Sequence, residues 1–248
     1  MVINYQVVLA GNKKVYILKL VLLPGMDGTG ELFKEFLSFY DGEYLVISLP
    51  QNGPQDHASL AKSLEKQLPK EDYILLAESF SGGIVPELLK QDITNIKGII
   101  FVASFLSCPN KYLLTIAKIL PIKALASAPL SQIGHKFLLL GQGASKALLS
   151  KFIKVTKSIP DHILKSRLAV MNLQKLPLAT FDVPTVYIQA RSDRLISPRK
   201  SRELGNVFKN IEYIEIDGPH FLLQAKPKES SQAVAKATVL IMNQQGSS

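Results

Sequence analysis

Apolar and polar positions alternate along this chain in blocks. Nearly continuous apolar runs occupy residues 15–23, 44–49, 73–77, 96–103, 185–190 and 211–216, and each ends at a turn former or a small residue. Their length and β-branched content predict strands, and unbroken hydrophobicity predicts a sheet covered on both faces. Between them, residues 31–38, 58–68, 85–92 and 199–207 carry apolar side chains three or four apart, with lysine and glutamate in the gaps. That spacing predicts helices packed by one face. Alternating strand and helix predicts a mostly parallel central sheet flanked by crossover helices. Residues 2–9, closed by Ala10-Gly11-Asn12-Lys13, predict an antiparallel strand and turn at one edge.

The alternation stops at Ser104 and resumes at Val183. Helical stretches at 112–120, 146–157 and 161–173 lie between, separated by Pro121, Pro129, Gly141, Gly143 and Pro160. Such a segment is too long for a simple crossover and is expected to form a helical lid above the sheet edge. The resulting division is a core of 1–103 with 183–244, a lid of 104–182, and a disordered tail of 245–248. A chain of 248 residues suffices for one such core.

Charge adds to the interest of the insertion. Residues 104–182 hold eleven lysines and arginines against two acids, whereas both signs number eighteen elsewhere, so the whole net charge of +9 resides there. A basic face of this kind suits an acidic acyl carrier or an anionic surface, and equally a solvated lysine coat. Nucleic acid is a poor fit, because the segment has no zinc spacing and no interleaving of aromatic with basic residues. A single cysteine, Cys108, excludes an intrachain disulfide and a multi-cysteine metal cluster, and suggests a reducing, cytoplasmic setting. Lys13, Lys14 and Lys19 break the N-terminal apolar runs, so these read as strands and not as a signal peptide. Lys118, Pro121 and Lys123 interrupt the apolar residues 112–130, so no transmembrane span is expected.

The run at 73–77 leads into Ala77-Glu78-Ser79-Phe80-Ser81-Gly82-Gly83. A sharp turn between a central strand and a helix needs small residues on both sides of the side chain it presents. Ser79 fits the length of the preceding run better than Ser81, and leaves Ser81-Gly82-Gly83 where the helix must approach closely. A serine becomes a nucleophile when a base takes its proton and a third group orients that base. Of the four histidines, His57 opens a helix and His135 and His162 fall in the insertion, while His220 follows a strand at Gly218-Pro219. Asp193 also follows a strand, in Ala190-Arg191-Ser192-Asp193-Arg194-Leu195-Ile196, with Asp217 as the substitute acid.

In this order of serine, acid and histidine the chain resembles the α/β-hydrolase superfamily over essentially its whole length. Residues 22–30, Leu-Leu-Pro-Gly-Met-Asp-Gly-Thr-Gly, are similar to its oxyanion loop, with Pro24 where many members have histidine. AESFSGG resembles its nucleophile elbow, with Ala77 and Ser81 in place of the motif glycines and an unusual Glu78 before the serine. The resemblance implies an α/β-hydrolase fold and a Ser79-Asp193-His220 triad, with the backbone N–H groups of Met26 and Phe80 facing the oxyanion. It also implies a serine esterase or thioesterase acting on an apolar acyl group, for which Phe105, Leu106, Leu113 and Leu120 are the pocket candidates. A short basic lid is similar to that of carboxylesterases of the biotin pathway.

Acyl transfer, carbon-carbon bond hydrolysis and a noncatalytic binding role on the same fold are the alternatives. No cofactor or metal is expected. The loop 25–30 lacks the lysine of a phosphate loop and the glycine spacing of a dinucleotide site, and the histidines and cysteine form no ligand motif.

Overall fold

The computed structural model describes residues 6–10, 13–91, 93–111, 114, 139–141 and 143–245, with 6–17 described by their backbone alone. In chain order the elements are β1 (Gln6–Ala10), β2 (Lys13–Ile17), β3 (Lys19–Leu23), α1 (Lys34–Leu37), β4 (Tyr44–Val46), α2 (His57–Leu64), β5 (Tyr73–Glu78), α3 (Ile84–Leu89) and β6 (Ile96–Val102). Then follow α4 (Lys146–Ser158), α5 (Asp161–Leu173), β7 (Thr185–Ala190), α6 (Pro198–Arg202), β8 (Ile211–Ile216), α7 (Leu222–Ala225) and α8 (Pro227–Gln245). Six strands pair in parallel in the order β4-β3-β5-β6-β7-β8, which is the sheet of an α/β-hydrolase fold.

The unbroken apolar runs are explained by the two faces of this sheet. On β5, Tyr73, Leu75 and Ala77 pack with Leu60, Ala61 and Leu64 of α2 and with Ile84, Val85 and Leu88 of α3. The intervening Ile74 and Leu76 pack on the opposite face with Phe36 of α1 and Val234, Ala237 and Ile241 of α8. Side chains two apart share a face, so a strand buried on both sides must be apolar at every position. Local signals set the helix starts: Asp56 accepts from Ser59 N at 2.9 Å to cap α2, and Ser145 accepts from Leu148 N at 3.0 Å to cap α4.

Several expectations need correction. The run 15–23 is not one strand: it breaks at Leu18, so that β2 pairs antiparallel with β1 while β3 enters the main sheet. The hairpin is therefore a separate two-stranded sheet and not an added edge. Buried Leu18 continues the apolar pattern across the break, which conceals it. Strand β4 ends at Val46: Ile47 N still donates to Leu22 O of β3 at 3.0 Å, and beyond it Leu49 N donates to Gly28 O in the loop after β3 at 2.7 Å. Strand β8 lies at an edge with Glu212, Tyr213 and Glu215 exposed, so it is half-buried. Finally, α8 was not foreseen.

Its sequence is rich in alanine, serine and polar residues, and its buried positions Ala233, Val234, Ala237 and Ile241 are mostly small. Small residues let the helix lie close to the sheet: at Gly98 of β6, any side chain would run into Ile241. Of the expected helix 112–120 only Leu114, helical and buried, is among the described residues. The expected tail 245–248 starts too early, because Gln245 closes α8, and 246–248 lie outside the described residues. Among the described residues, no helix is long and apolar enough to cross a membrane.

Ile241 is fully buried over β6, so Ile241→Ala is expected to lower stability by about 2–5 kcal/mol, the usual range for such a truncation. Denaturant unfolding measures this, and an unshifted midpoint would mean that α8 lies outside the cooperative core.

Candidate active site

Strand β5 delivers Ser79 at its carboxyl end, in the middle of the sheet. The residue has φ 49°, in the left-handed region where a Cβ meets backbone, and Ala103 is the other non-glycine with positive φ among the described residues. Such a conformation costs on the order of 1–3 kcal/mol and persists where surrounding structure enforces it. The surroundings are tight. A Cβ added to Gly25 would lie 3.6 Å from that of Ser79, and one on Gly82 would come within 2.9 Å of the Ser104 Cβ. Gly83 leaves the space filled by the His57 ring. Ser81 is fully buried and its hydroxyl donates to the carbonyl of Pro24, which ties the turn to the loop after β3. The two serines thus have different partners.

Ser79 faces His220. Its Oγ lies 2.9 Å from His220 Nε2, and His220 Nδ1 lies 2.8 Å from Asp193 Oδ2. An acceptor at Nδ1 keeps the proton there, which leaves the Nε2 lone pair to receive the Ser79 hydroxyl. Asp193 is itself oriented, because its Oδ1 accepts from the backbone N–H groups of Leu195 and Ile196, each at 2.8 Å. One carboxylate oxygen serves the turn after β7 and the other serves the imidazole. The histidine loop is braced from the insertion: Phe221 N donates to Leu139 O at 2.9 Å, and the Phe221 ring meets Phe152 of α4 edge-on at 5.3 Å.

A second carboxyl group stands beside the relay. Glu78 is 4% exposed, and its Oε1 accepts from Gln224 Nε2 at 2.9 Å. Burial pushes its pKa up to about 7 against that hydrogen bond, and the charge of Asp27 adds to the rise. For His220, burial disfavours the imidazolium. The charge and hydrogen bond of Asp193, with the charge of Glu78, outweigh burial and raise the pKa above the ordinary 6.5. His57 behaves oppositely: burial lowers it to about 4, and its ring packs 4.9 Å from that of Phe80 as a neutral group.

Gly25, the residue before Met26, passes close to Ser79 in the loop after β3. Phe80 is the second residue of the tight turn 79–83, where the first N–H groups have no partner in the turn itself. Met26 lies under Ile159, Ile163 and Leu164 of the insertion. Phe105 and Leu106 are buried in the cluster that also contains Phe80 and Leu168, while Leu113 and Leu120 lie outside the described residues. Asp217 accepts from Ser192 Oγ at 3.3 Å and is not the partner of His220. Among the described residues, no three His, Cys, Asp or Glu side chains are arranged to hold a metal ion.

Sequence reasoning missed Arg167 and Gln55. Arg167 is fully buried, and its Nε donates to Gln55 Oε1 at 2.9 Å. A signal was present: Arg167 continues the stripe of Ile163, Leu164, Leu168 and Met171 that α5 buries, where a surface cation does not belong.

The sheet order and this serine-imidazole-carboxylate geometry define the class as α/β hydrolase. The family described as serine aminopeptidase S33 matches residues 50–216, two thirds of the chain, and the chain belongs to it. The match includes Ser79 and Asp193 and ends before His220. No curated protein matches the sequence. Among solved structures, an esterase from Exiguobacterium antarcticum aligns with TM-score 0.77 at 14% identity, covering 91% of this chain and 95% of its own. An enol-lactonase from Burkholderia xenovorans aligns with TM-score 0.73 at 15% identity, covering 91% and 92%. An extracellular α/β-hydrolase from a Paenibacillus species aligns with TM-score 0.65 at 22% identity, covering 89% and 98%. At these identities the likeness is one of fold.

The charge of Glu78 sustains part of the raised His220 pKa. Glu78→Gln removes it and is expected to move the apparent imidazole titration to lower pH, read from the His220 ring signals by NMR. An unchanged or higher value would show that the two groups are not coupled.

Proposed function

We propose that this chain is a serine hydrolase that cleaves carboxylic esters or thioesters through an acyl-enzyme on Ser79. The observation that carries the reading is the continuous relay from Ser79 Oγ through His220 to Asp193, with contacts of 2.9 and 2.8 Å. Ser79 Oγ attacks the acyl carbonyl while His220 Nε2 takes its proton, and Asp193 stabilises the imidazolium. The N–H groups of Met26 and Phe80 receive the oxyanion, which exists only once the tetrahedral species forms. His220 then protonates the departing alkoxide or thiolate as the carbonyl re-forms. Water, losing its proton to the same Nε2, attacks the acyl carbon, releases the acid and restores Ser79.

An apolar acyl group is supported by the side chains around Met26, namely Ile159, Ile163 and Leu164. A cleft of about 460 Å³ adjoins the histidine loop, walled by Leu32, Leu140, Leu148 and Pro219 and edged by Lys151 and Lys226. With the exposed Lys154 and Lys157 of α4, this edge supports a substrate borne by an acidic acyl carrier, similar to the carrier-linked ester of the biotin-pathway carboxylesterases. The family match supports a second reading, hydrolysis of an aminoacyl amide by the same groups.

A kinetic screen of p-nitrophenyl esters, acyl thioesters and an aminoacyl p-nitroanilide tests both readings. Ester or thioester turnover is expected to exceed anilide turnover and to fall by about 10⁴-fold or more in Ser79→Ala and in His220→Ala. Turnover of acyl-carrier thioesters is expected to decline with salt while that of neutral esters does not. Activity unchanged in Ser79→Ala would overturn the proposal, and dominant anilide cleavage would favour the second reading.

A further inference from the structure

Arg167 is among the largest side chains that this protein buries completely, and it comes from α5 in the insertion. Its fork holds two loops at once. Nη1 donates to Met26 O at 2.9 Å, Nη2 to Pro50 O at 2.8 Å, and Nε to Gln55 Oε1 at 2.9 Å. The guanidinium carbon lies 6.0 Å from the centre of the Phe80 ring, so the same group reaches the residue after Ser79. At Gly28, with φ 70°, any side chain would run into the guanidinium, so the loop is shaped around it. Burial lowers the Arg167 pKa to about 10, against the charge of half-buried Asp27, so the group remains a cation at neutral pH.

A buried cation is costly to maintain, and a leucine at this place on the apolar stripe of α5 would pack without that cost. What a leucine lacks is a planar fork that fixes several acceptors together. The acceptor that matters is the Met26 carbonyl. In a trans peptide the N–H points away from the carbonyl of the same unit. The Gly25 carbonyl accepts from Gly28 N at 3.0 Å, which sets the peptide carrying the Met26 N–H. Arg167 sets the next peptide through Met26 O. With both peptide planes that meet at the Met26 Cα held, its N–H has one direction.

We propose that Arg167 is a positioning residue: from the insertion it fixes the direction of the Met26 N–H and steadies the Phe80 ring, thereby aligning the oxyanion donors on either side of Ser79. This rests on the serine-hydrolase reading. It makes catalysis depend on how α5 is seated, since the cation that shapes the loop after β3 arrives on that helix.

The test compares wild type with Arg167→Lys, Arg167→Ala and Gln55→Leu on a short-chain p-nitrophenyl ester, recording kcat, KM and thermal midpoint for each. Arg167→Lys and Arg167→Ala are expected to lose roughly 10- to 100-fold in kcat, because misaligned donors fail the transition state, with KM within about threefold. Guanidinium ion at subdenaturing concentration is expected to restore part of the kcat of Arg167→Ala and none of that of Ser79→Ala. A folded Arg167→Lys with wild-type kcat, a loss confined to KM, or no rescue by guanidinium overturns the proposal. Should both Arg167 variants fail to fold, Gln55→Leu decides: a several-fold fall in kcat at unchanged KM supports it, and wild-type kcat overturns it. If Ser79→Ala is inactive while folded Arg167→Lys is fully active, this inference alone fails. If wild type hydrolyses no ester, the serine-hydrolase reading fails and this inference with it.

Discussion

A serine held at φ 49° at the end of a buried strand constrains everything packed around it. Because its backbone turns where an L-residue resists turning, the chain before and after must approach closely, and bulk is tolerated on neither side. Ala77, Gly82 and Gly83 are therefore small, and Gly25 lets the loop after β3 pass against Ser79. The sheet topology completes the arrangement. With β5 central in a parallel sheet, the loops after β3, β7 and β8 open at the same sheet edge, and they bring Met26, Asp193 and His220 to one place. Loss of the tight turn would scatter residues that are far apart in the chain.

Two buried carboxyl groups stand beside one imidazole, and each has its own hydrogen-bond partners. Asp193 is satisfied by two backbone N–H groups and the His220 ring. Glu78 has the amide of Gln224, and burial raises it to about 7. The sheet supplies these acidic groups, whereas the insertion supplies the buried cation, Arg167, that reaches the opposite loop. The insertion is thus joined to the core by specific polar contacts and by apolar cover over Met26.

The fold was largely legible because a two-sided sheet leaves a coarse trace: uninterrupted apolar runs, each ended by a turn. Legibility failed where that trace is degenerate. Leu18 is as apolar as its neighbours, so the boundary between β2 and β3 leaves no mark, and α8 packs with alanine and serine, which mark no apolar stripe. Ser79, Asp193 and His220 were singled out because each follows a strand in one chain order, and the structure brings these three together. Arg167 was counted as one more charge in a basic segment. Recognising it required noticing that its position repeats with Ile163, Leu164 and Met171, since composition cannot distinguish a cation in solvent from one enclosed by three acceptors.

The central claim is that the Ser79 hydroxyl is made nucleophilic by His220. Treating the protein with a fluorophosphonate and mapping the adduct by peptide mass spectrometry tests it most directly, because an activated serine displaces fluoride to form a phosphonyl ester and the reagent needs no knowledge of the substrate. The account predicts one adduct, on Ser79, that forms far more slowly in His220→Ala. No adduct on the folded wild-type protein, an adduct on another residue, or labelling of Ser79 at equal rate without the imidazole would contradict it.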